Sequence, residues 1–449
     1  MKPTTIHFVK RIFPYSKQAF RLFTLTLLLF TSFIVLNWNA YSQPVCKLEQ
    51  ITNDPVQDSD QPTISRDGNL IAFRSEANFT GQNPDNNDEI FFYNVFEQKF
   101  SQVTVTTTGG NFSPFFSPDG KFIVFASDAD INGAPPNVNE QIYIYDVMTG
   151  IIEQITNGTD GDSDDPVING LNTHIAFRSL ADLTGDNPLN EDQIFLYDIL
   201  ANSFNQITNS TSGVTVFPTI NFAGDRVAFE SSANLTGQNP VAGIRQIFLY
   251  NSDTDILSQI TNNTAGSGSS VTDSAIDGSG NFITLSANSN PNGGGSNFPT
   301  GRRQIYLFDG FPPIEQITMS QEALSAEASI GGNGSCIVFD SGANITGQNP
   351  GGFDEIFLYD IDAGLFTQVT NFQSSNDPRN PRPNADCTRI AFSRFIQFNS
   401  NVLQIYVATC LDPATARNIP TLSEWGLIAM AGVLGVVGLM AIRRRKATA

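Results

Sequence analysis

The tripeptide Gln-(Ile/Val)-Thr begins at Gln50, Gln102, Gln154, Gln206, Gln259, Gln316 and Gln368, at intervals of 52, 52, 52, 53, 57 and 52 residues. So regular a period constrains the fold more than any composition does, because each copy is one supersecondary unit that buries its apolar face only against its neighbours. A second motif, (Glu/Gln)-Ile-aromatic-apolar-Tyr or close to it, opens at Glu89, Gln141, Gln193, Gln246, Gln304, Glu355 and Gln404. A third, Ile-Ala-Phe-like, opens at Ile71, Ile123, Ile175, Val227, Ile283, Ile337 and Ile390. Turn residues such as Ser65-Arg66-Asp67-Gly68 and Ser117-Pro118-Asp119-Gly120 precede it.

Each unit reads as four short strands, A to D. In the second unit they fall near residues 114–117, 121–127, 141–146 and 151–156. These runs are rich in Ile, Val, Phe, Tyr and Thr, as strands require. No segment between Cys46 and Pro413 sustains a 3.6-residue apolar period. The expected fold is all-β, a seven-bladed β-propeller of four-stranded blades over residues 43–410. The phase of the repeat predicts its closure. Residues 47–52 form a lone D strand, and the last unit ends on the C strand at Gln404-Ile405-Tyr406-Val407. The first strand therefore completes the last blade, leaving no open sheet edge.

The units resemble TolB-like propeller repeats, which carry Ser-Pro-Asp-Gly, an Ile-Ala-Phe-like strand and an Ile-Tyr-Val-like strand. The resemblance covers nearly all of residues 46–410, although only Ser117-Pro118-Asp119-Gly120 matches the turn in full. The separate N-terminal domain of TolB is absent, so its role in the Tol system is not carried over.

The two ends give an address. Lys2, Lys10, Arg11, Lys17 and Arg21 precede the apolar run 22–36, and Ala40-Tyr41-Ser42 follows, which reads as a signal peptide over 1–42. After a linker at 411–418 come Ile419, Pro420, Thr421, Leu422, Ser423, Glu424, Trp425 and Gly426, then an apolar run to Ile442, then Arg443-Arg444-Arg445-Lys446. Residues 425–442 would make about 27 Å of helix, enough for one close-fitting transmembrane span. The basic tail 443–446 should stay cytoplasmic, with the body outside. The segment 419–449 resembles the IPTL-CTERM sorting domain. The resemblance implies a Gram-negative host and an exosortase-type processing protease as partner. It also implies residence in the membrane facing the periplasm, or at the cell surface.

Composition narrows the function. With both basic ends set aside, 15 of the 24 Lys and Arg remain against 44 Asp and Glu. A body that acidic is repelled by phosphate backbones, so nucleic acid is excluded as a partner. The two histidines are His7, in the leader, and His174, which opens a B strand and reads as structural. No Gly-x-Ser-x-Gly, His-Glu-x-x-His or Walker sequence occurs. No catalytic residue is assigned. The leading reading is a non-enzymatic binding or scaffold propeller for a protein or glycan ligand. The alternative is a carbohydrate-active or other hydrolytic propeller using carboxylates.

Alternating strand direction places the A–B and C–D turns on one face and the longer B–C and D–A loops on the other. The chain leaves strand C of the last blade on the turn face, so the loop face should point away from the membrane. Its binding candidates are Asp160, Asp162, Asp164 and Asp165 in one D–A loop, with Asp85 and Asp88 in a B–C loop. The repeated Asn-x-Thr-Gly-x-Asn-Pro of the B–C loops reads as turn and packing chemistry. Asp128, Asp130 and Asn132 match the first half of a calcium loop, with a solvated acidic rim as the plainer reading and calcium the only cofactor in view. Cys46 and Cys410 flank the seam strands, which predicts a bridge closing the ring and stabilising it by about 4–5 kcal/mol. Cys336 and Cys387 fall at nearly equivalent places in neighbouring blades, which predicts buried free thiols.

Overall fold

The computed structural model describes residues 46–134, 136–239, 243–264, 270–293, 302–372, 374, 376–396 and 402–410. The expected signal peptide, linker, sorting segment and apolar span all lie outside the described residues. Among the described residues no helix is long and apolar enough to cross a membrane.

Seven four-stranded antiparallel sheets form the body. In blade 1 the strands are A, Ser59–Ile64; B, Leu70–Ser75; C, Glu89–Asn94; and D, Lys99–Gln102. Blade 2 begins with strand A at Asn111–Phe116, a few residues earlier than its apolar run suggests, because Asn111 and Phe112 already pair with strand B. The seventh sheet is composite. Strands Pro378–Pro383, Arg389–Phe395 and Leu403–Thr409 supply A, B and C, and Lys47–Gln50 from the other end of the chain supplies D. Lys47 pairs with Thr409 and Gln50 with Tyr406. The ring is closed by the N-terminal strand.

The repeat motifs account for this regularity. Phe73 and Phe91, from strands B and C, stack with ring centres 6.0 Å apart, and Phe177 with Phe195 and Phe229 with Phe248 repeat the pair. The motif threonine caps strand C of its own blade. The Thr104 Oγ1 accepts the Ile90 N–H at 2.8 Å, and Thr52 does the same across the seam for Ile405. The Gln or Glu that opens strand C is buried and holds the following D–A loop. Gln141 donates to the Gly158 carbonyl at 2.8 Å and accepts its N–H at 3.0 Å. These buried polar groups are hydrogen-bonded, so the repetition is structural.

Cys46 and Cys410 form a disulfide with Cα atoms 4.0 Å apart. Cys336 and Cys387 are also joined, with Cα atoms 6.5 Å apart, contrary to the expected free thiols. The two cysteines are not at equivalent places. Cys336 opens strand B of blade 6, whereas Cys387 occupies the left-handed position of the next A–B turn, with φ 55°. Other blade pairs bring the same two positions into contact. A Cβ on Gly280 would lie 2.7 Å from Arg226, and one on Gly68 would lie 3.0 Å from Arg389. A contact that recurs around the ring is here made covalent.

Candidate functional site

Strand A of every blade faces the central channel, and every strand A has a bulge at its third residue. Gln61, Ser113, Asp165, Phe217, Asp273, Glu327 and Asn380 all have φ between 48° and 58°. Left-handed geometry costs a non-glycine residue about 1 kcal/mol. Repetition in every blade makes it a designed feature. A bulge frees a backbone N–H from the ladder, and here the neighbouring blade takes it up. The Gln61 Oε1 accepts the Ser113 N–H at 2.8 Å. The Asp273 Oδ2 accepts the Glu327 N–H at 3.1 Å, and the Glu327 Oε2 accepts the Asn380 N–H. The bulge residues thus build a polar collar around the channel. The collar encloses a cavity of about 400 Å³ whose wall holds all seven bulge residues together with Glu230 and Arg382.

Below the collar the channel becomes apolar, with about 170 Å³ lined by residues such as Ile64, Phe115, Ile168, Ile220 and Ile276. At the turn face Arg66 of blade 1 crosses to blades 4 and 6. Its guanidinium lies 5.1 Å from the centre of the Phe222 ring, and its Nη2 donates to the Asn333 Oδ1 at 2.8 Å. The Phe222 ring occupies the space of a side chain missing at Gly170, whose Cβ would lie 2.0 Å from it. The channel is therefore a funnel, wide and polar at the loop face, narrow and apolar at the turn face.

The candidates from sequence divide. Asp162, Asp164 and Asp165 come together with Glu140, an acid that the sequence reading passed over. The Arg178 guanidinium bonds both Asp164 and Asp192. Burial pushes the Asp164 carboxyl up to about 7, with Asp165 and Glu140 adding to the shift against Arg178. Glu140 is likewise pushed up to about 7, by burial first and then by Asp162, Asp128 and Asp165. An ion pair alone would have lowered Asp164, but a single guanidinium shared among several carboxylates does not offset their burial. Asp160 stays apart and bonds the next B–C loop through Asn190. Asp88 joins Asp60 on Arg74, whereas Asp85 is exposed at its loop tip.

Asp128 accepts the Gly110 N–H at 2.7 Å, and Asp130 accepts the N–H groups of Thr107 and Thr108 at 2.8 and 3.1 Å. Asn132 lies on the exposed surface, its amide directed to the Ile152 carbonyl at 3.4 Å. Both carboxylates thus cap a neighbouring loop. Among the described residues no group of three or more His, Cys, Asp and Glu side chains is placed to hold a metal ion. The B–C loop motif is likewise turned inward. The buried Asn83 donates to the Glu76 and Asn87 carbonyls, and Thr80 bonds Gln102 of strand D.

The collar and Arg382 were missed from sequence. The signal was a proline after the bulge residue at Pro62, Pro114, Pro166, Pro218 and Pro381, where no ladder N–H is needed. Aligned by the repeat, Arg382 is the one charge in a row otherwise filled by Thr63, Phe115, Val167, Thr219, Ala275 and Ser329.

The fold and the tail both find counterparts. This is a seven-bladed propeller that ends in a sorting motif. Residues 419–445 match the IPTL-CTERM motif. No curated protein sequence matches the chain. An oligogalacturonate lyase from Vibrio parahaemolyticus is similar in structure at TM-score 0.57 and 16% identity, over 81% of this chain and 97% of that one. An oligogalacturonate lyase in complex with manganese gives TM-score 0.57 and 15% identity, over 84% and 95%. TolB from Acinetobacter baumannii gives 0.39 and 14%, over 72% and 76%. At such identities the likeness is one of fold.

Proposed function

We propose that the chain is an exported, envelope-sorted binding propeller that presents its loop face and the mouth of its funnel outward. The IPTL-CTERM match and the basic, apolar leader support the address. In this reading the 425–442 span anchors the tail in the membrane, and an exosortase-type protease processes it. One observation carries the binding reading: most carboxylates around the funnel bond backbone N–H groups or arginines, so the polar lumen is rigid and largely satisfied. A built, preorganised wall suits recognition.

Glu140 and Asp164, both pushed up to about 7, favour a second reading, a carbohydrate-active propeller working by acid–base chemistry. The two oligogalacturonate lyases lend it only their fold. A glycan array read together with a hydrolase and lyase screen on the purified protein separates the two. Binding without turnover is the expected result, and turnover lost in Glu140→Gln would establish the second reading. Mass spectrometry of the native C-terminus checks the address, with a mass lacking the residues beyond the motif expected after processing.

A further inference from the structure

The C–D turns share one tip position, seven residues after the Gln or Glu that opens strand C. Phe96, Met148 and Leu200 hold it in blades 1, 2 and 3, exposed at 89, 89 and 93%. Tight turns favour polar residues, so three large apolar tips in a row ask for a reason. The row starts next to the end of the last sheet, because blade 7 packs on blade 1 and its strand C ends at Thr409 on this same face. The three lysines between Cys46 and Cys410 lie there too, and all are exposed. Lys99 pairs with Asn94 at the base of the Phe96 turn, and Lys47 pairs with Thr409. The Lys121 carbonyl accepts the Val147 N–H at 2.9 Å, one residue from Met148. Asp119 bonds Lys121 and Glu97 follows Phe96, so the arc is mixed in charge within an acidic body.

Apolar tips flanked by long lysines suit the boundary of a phospholipid bilayer. The tips enter the acyl edge, while the lysine stems lie along it and carry their ammonium groups to the phosphates. The course of the chain decides between lipid and a protein partner. From Cys410 to the apolar run that begins at Trp425 there are only residues 411–424, which span at most about 50 Å at full stretch. A face tethered so closely meets the bilayer at high effective concentration, so a weak contact suffices. We propose that the C–D turns of blades 1 to 3 rest on the bilayer that holds this chain's own tail. Phe96, Met148 and Leu200 enter the interface, and Lys47, Lys99 and Lys121 meet lipid phosphates. Across the ring the tips alternate as Asp253, Phe311 and Asp362, so the body leans toward blades 1 to 3. This docking rests on the membrane address proposed above.

Tryptophan quenching tests it, with the full-length chain reconstituted into phosphatidylcholine vesicles whose acyl chains are plain or brominated. The chain has two tryptophans, Trp38 and Trp425, so a Trp38→Phe background reports on Trp425 alone. Phe96→Trp and Met148→Trp added to it report on the arc. Val138→Trp, at a B–C loop position 96% exposed, reports on the opposite face. Bromine is expected to remove about half or more of the emission added at 96 or 148 and none of that added at 138. Phe96→Ser with Leu200→Ser should abolish most of the quenching of Met148→Trp at an unchanged melting temperature, whereas a short tether alone would leave it intact. Quenching of Trp425 without quenching at 96 or 148 overturns the docking and leaves the address standing. Equal quenching at 138, or quenching indifferent to the serines, also overturns it. Emission shielded from water yet untouched by bromine would assign the arc to a second copy or another protein and overturn it as well. An unquenched Trp425 would sink the address, and the docking with it.

Discussion

Blades 1 and 3 and blade 6 share a backbone and differ at two of the three positions of one charged row. At one cross-strand row on strands A, B and C, blade 1 has Asp60, Arg74 and the adjoining Asp88, and blade 3 has Asp164, Arg178 and Asp192. The equivalent places in blade 6 are Ala326, Asp340 and Asp354. Where arginine stands in the middle, the carboxylates are bridged, and Arg74 also lies 6.0 Å from the Phe112 ring centre of the next blade. Where an acid stands there instead, burial, followed by Glu327, Asp354 and Asp273, pushes Asp340 well above the usual carboxylate range. Its Oδ1 has no hydrogen-bond partner among the described residues. The same fold thus tolerates opposite electrostatics at one place, because the apolar blade core, not the charged row, holds the sheets together.

Removing the middle arginine should have the largest effect. Arg178→Met leaves Asp164, Asp165 and Asp192 without their cation in a half-buried row, and breaking such a pair costs about 3–5 kcal/mol. Urea unfolding at pH 7 should show that loss. At pH 5 much of it should return, because carboxyls without their arginine have raised folded-state pKa values and fold best protonated. The double variant Asp164→Asn/Arg178→Met should recover part of the loss at both pH values. A loss of under 1 kcal/mol in the single variant would show that the triplet is ornamental and that blades 3 and 6 do not differ in energetic terms.

Why blade architecture was legible and these differences were not has a physical cause. Strand identity, blade number and ring closure rest on apolar residues and threonines that every unit must have, so repetition reveals them. The Cys46–Cys410 pairing follows from topology alone, since the strands that flank the seam must be neighbours. The Cys336–Cys387 bridge needed one more step, the contact between the A–B turn of one blade and strand B of the preceding one. That contact involves positions filled variously by Gly, Arg, Leu and His, and no repeated letter marks it. The channel collar hid for a similar reason: its bulge residue is Gln, Ser, Asp, Phe, Glu or Asn, because geometry is repeated there and chemistry is not. Asp162, Asp164 and Asp165 could be singled out as a run, whereas Glu140 joins them only through the packing of blade 2 on blade 3.

Blade 4 is intermediate and sharpens the comparison. Its row reads Val216, Glu230 and Arg245, an isolated pair with the Arg245 Nη1 3.2 Å from the Glu230 Oε2. Burial and then Asp273 push Glu230 up to about 7 in spite of that arginine. A folded-state pKa above the unfolded value of 4.5 means that stability from this group is present below pH 4.5 and lost as pH rises through 7. Glu230→Gln removes the titration. Relative to the parent, it should gain up to about 3 kcal/mol between pH 4 and pH 8, read from unfolding midpoints at each pH. Parallel curves for parent and variant would mean that Arg245 offsets the burial of Glu230 and that the group does not titrate between pH 4 and pH 8.

The smallest effect belongs to the unbridged acid itself. Asp340→Asn replaces a carboxyl that burial keeps protonated with an amide of the same shape. At pH 4 both forms are neutral in the folded chain, and stability should change little. At pH 8 the parent must either hold a buried charge among Glu327, Asp354 and Asp273 or take up a proton on folding, and the variant does neither. It should therefore be more stable by about 1–2 kcal/mol at pH 8. Asp340→Arg tests the comparison from the other side, by rebuilding beside Asp354 the arginine that blades 1 and 3 possess. If burial is the reason that Asp340 is neutral, the arginine variant should be less stable than the asparagine one, since Ala326 supplies no second carboxylate. If neighbouring charge is the reason, the order reverses, because the guanidinium would meet Glu327, Asp354 and Asp273 together.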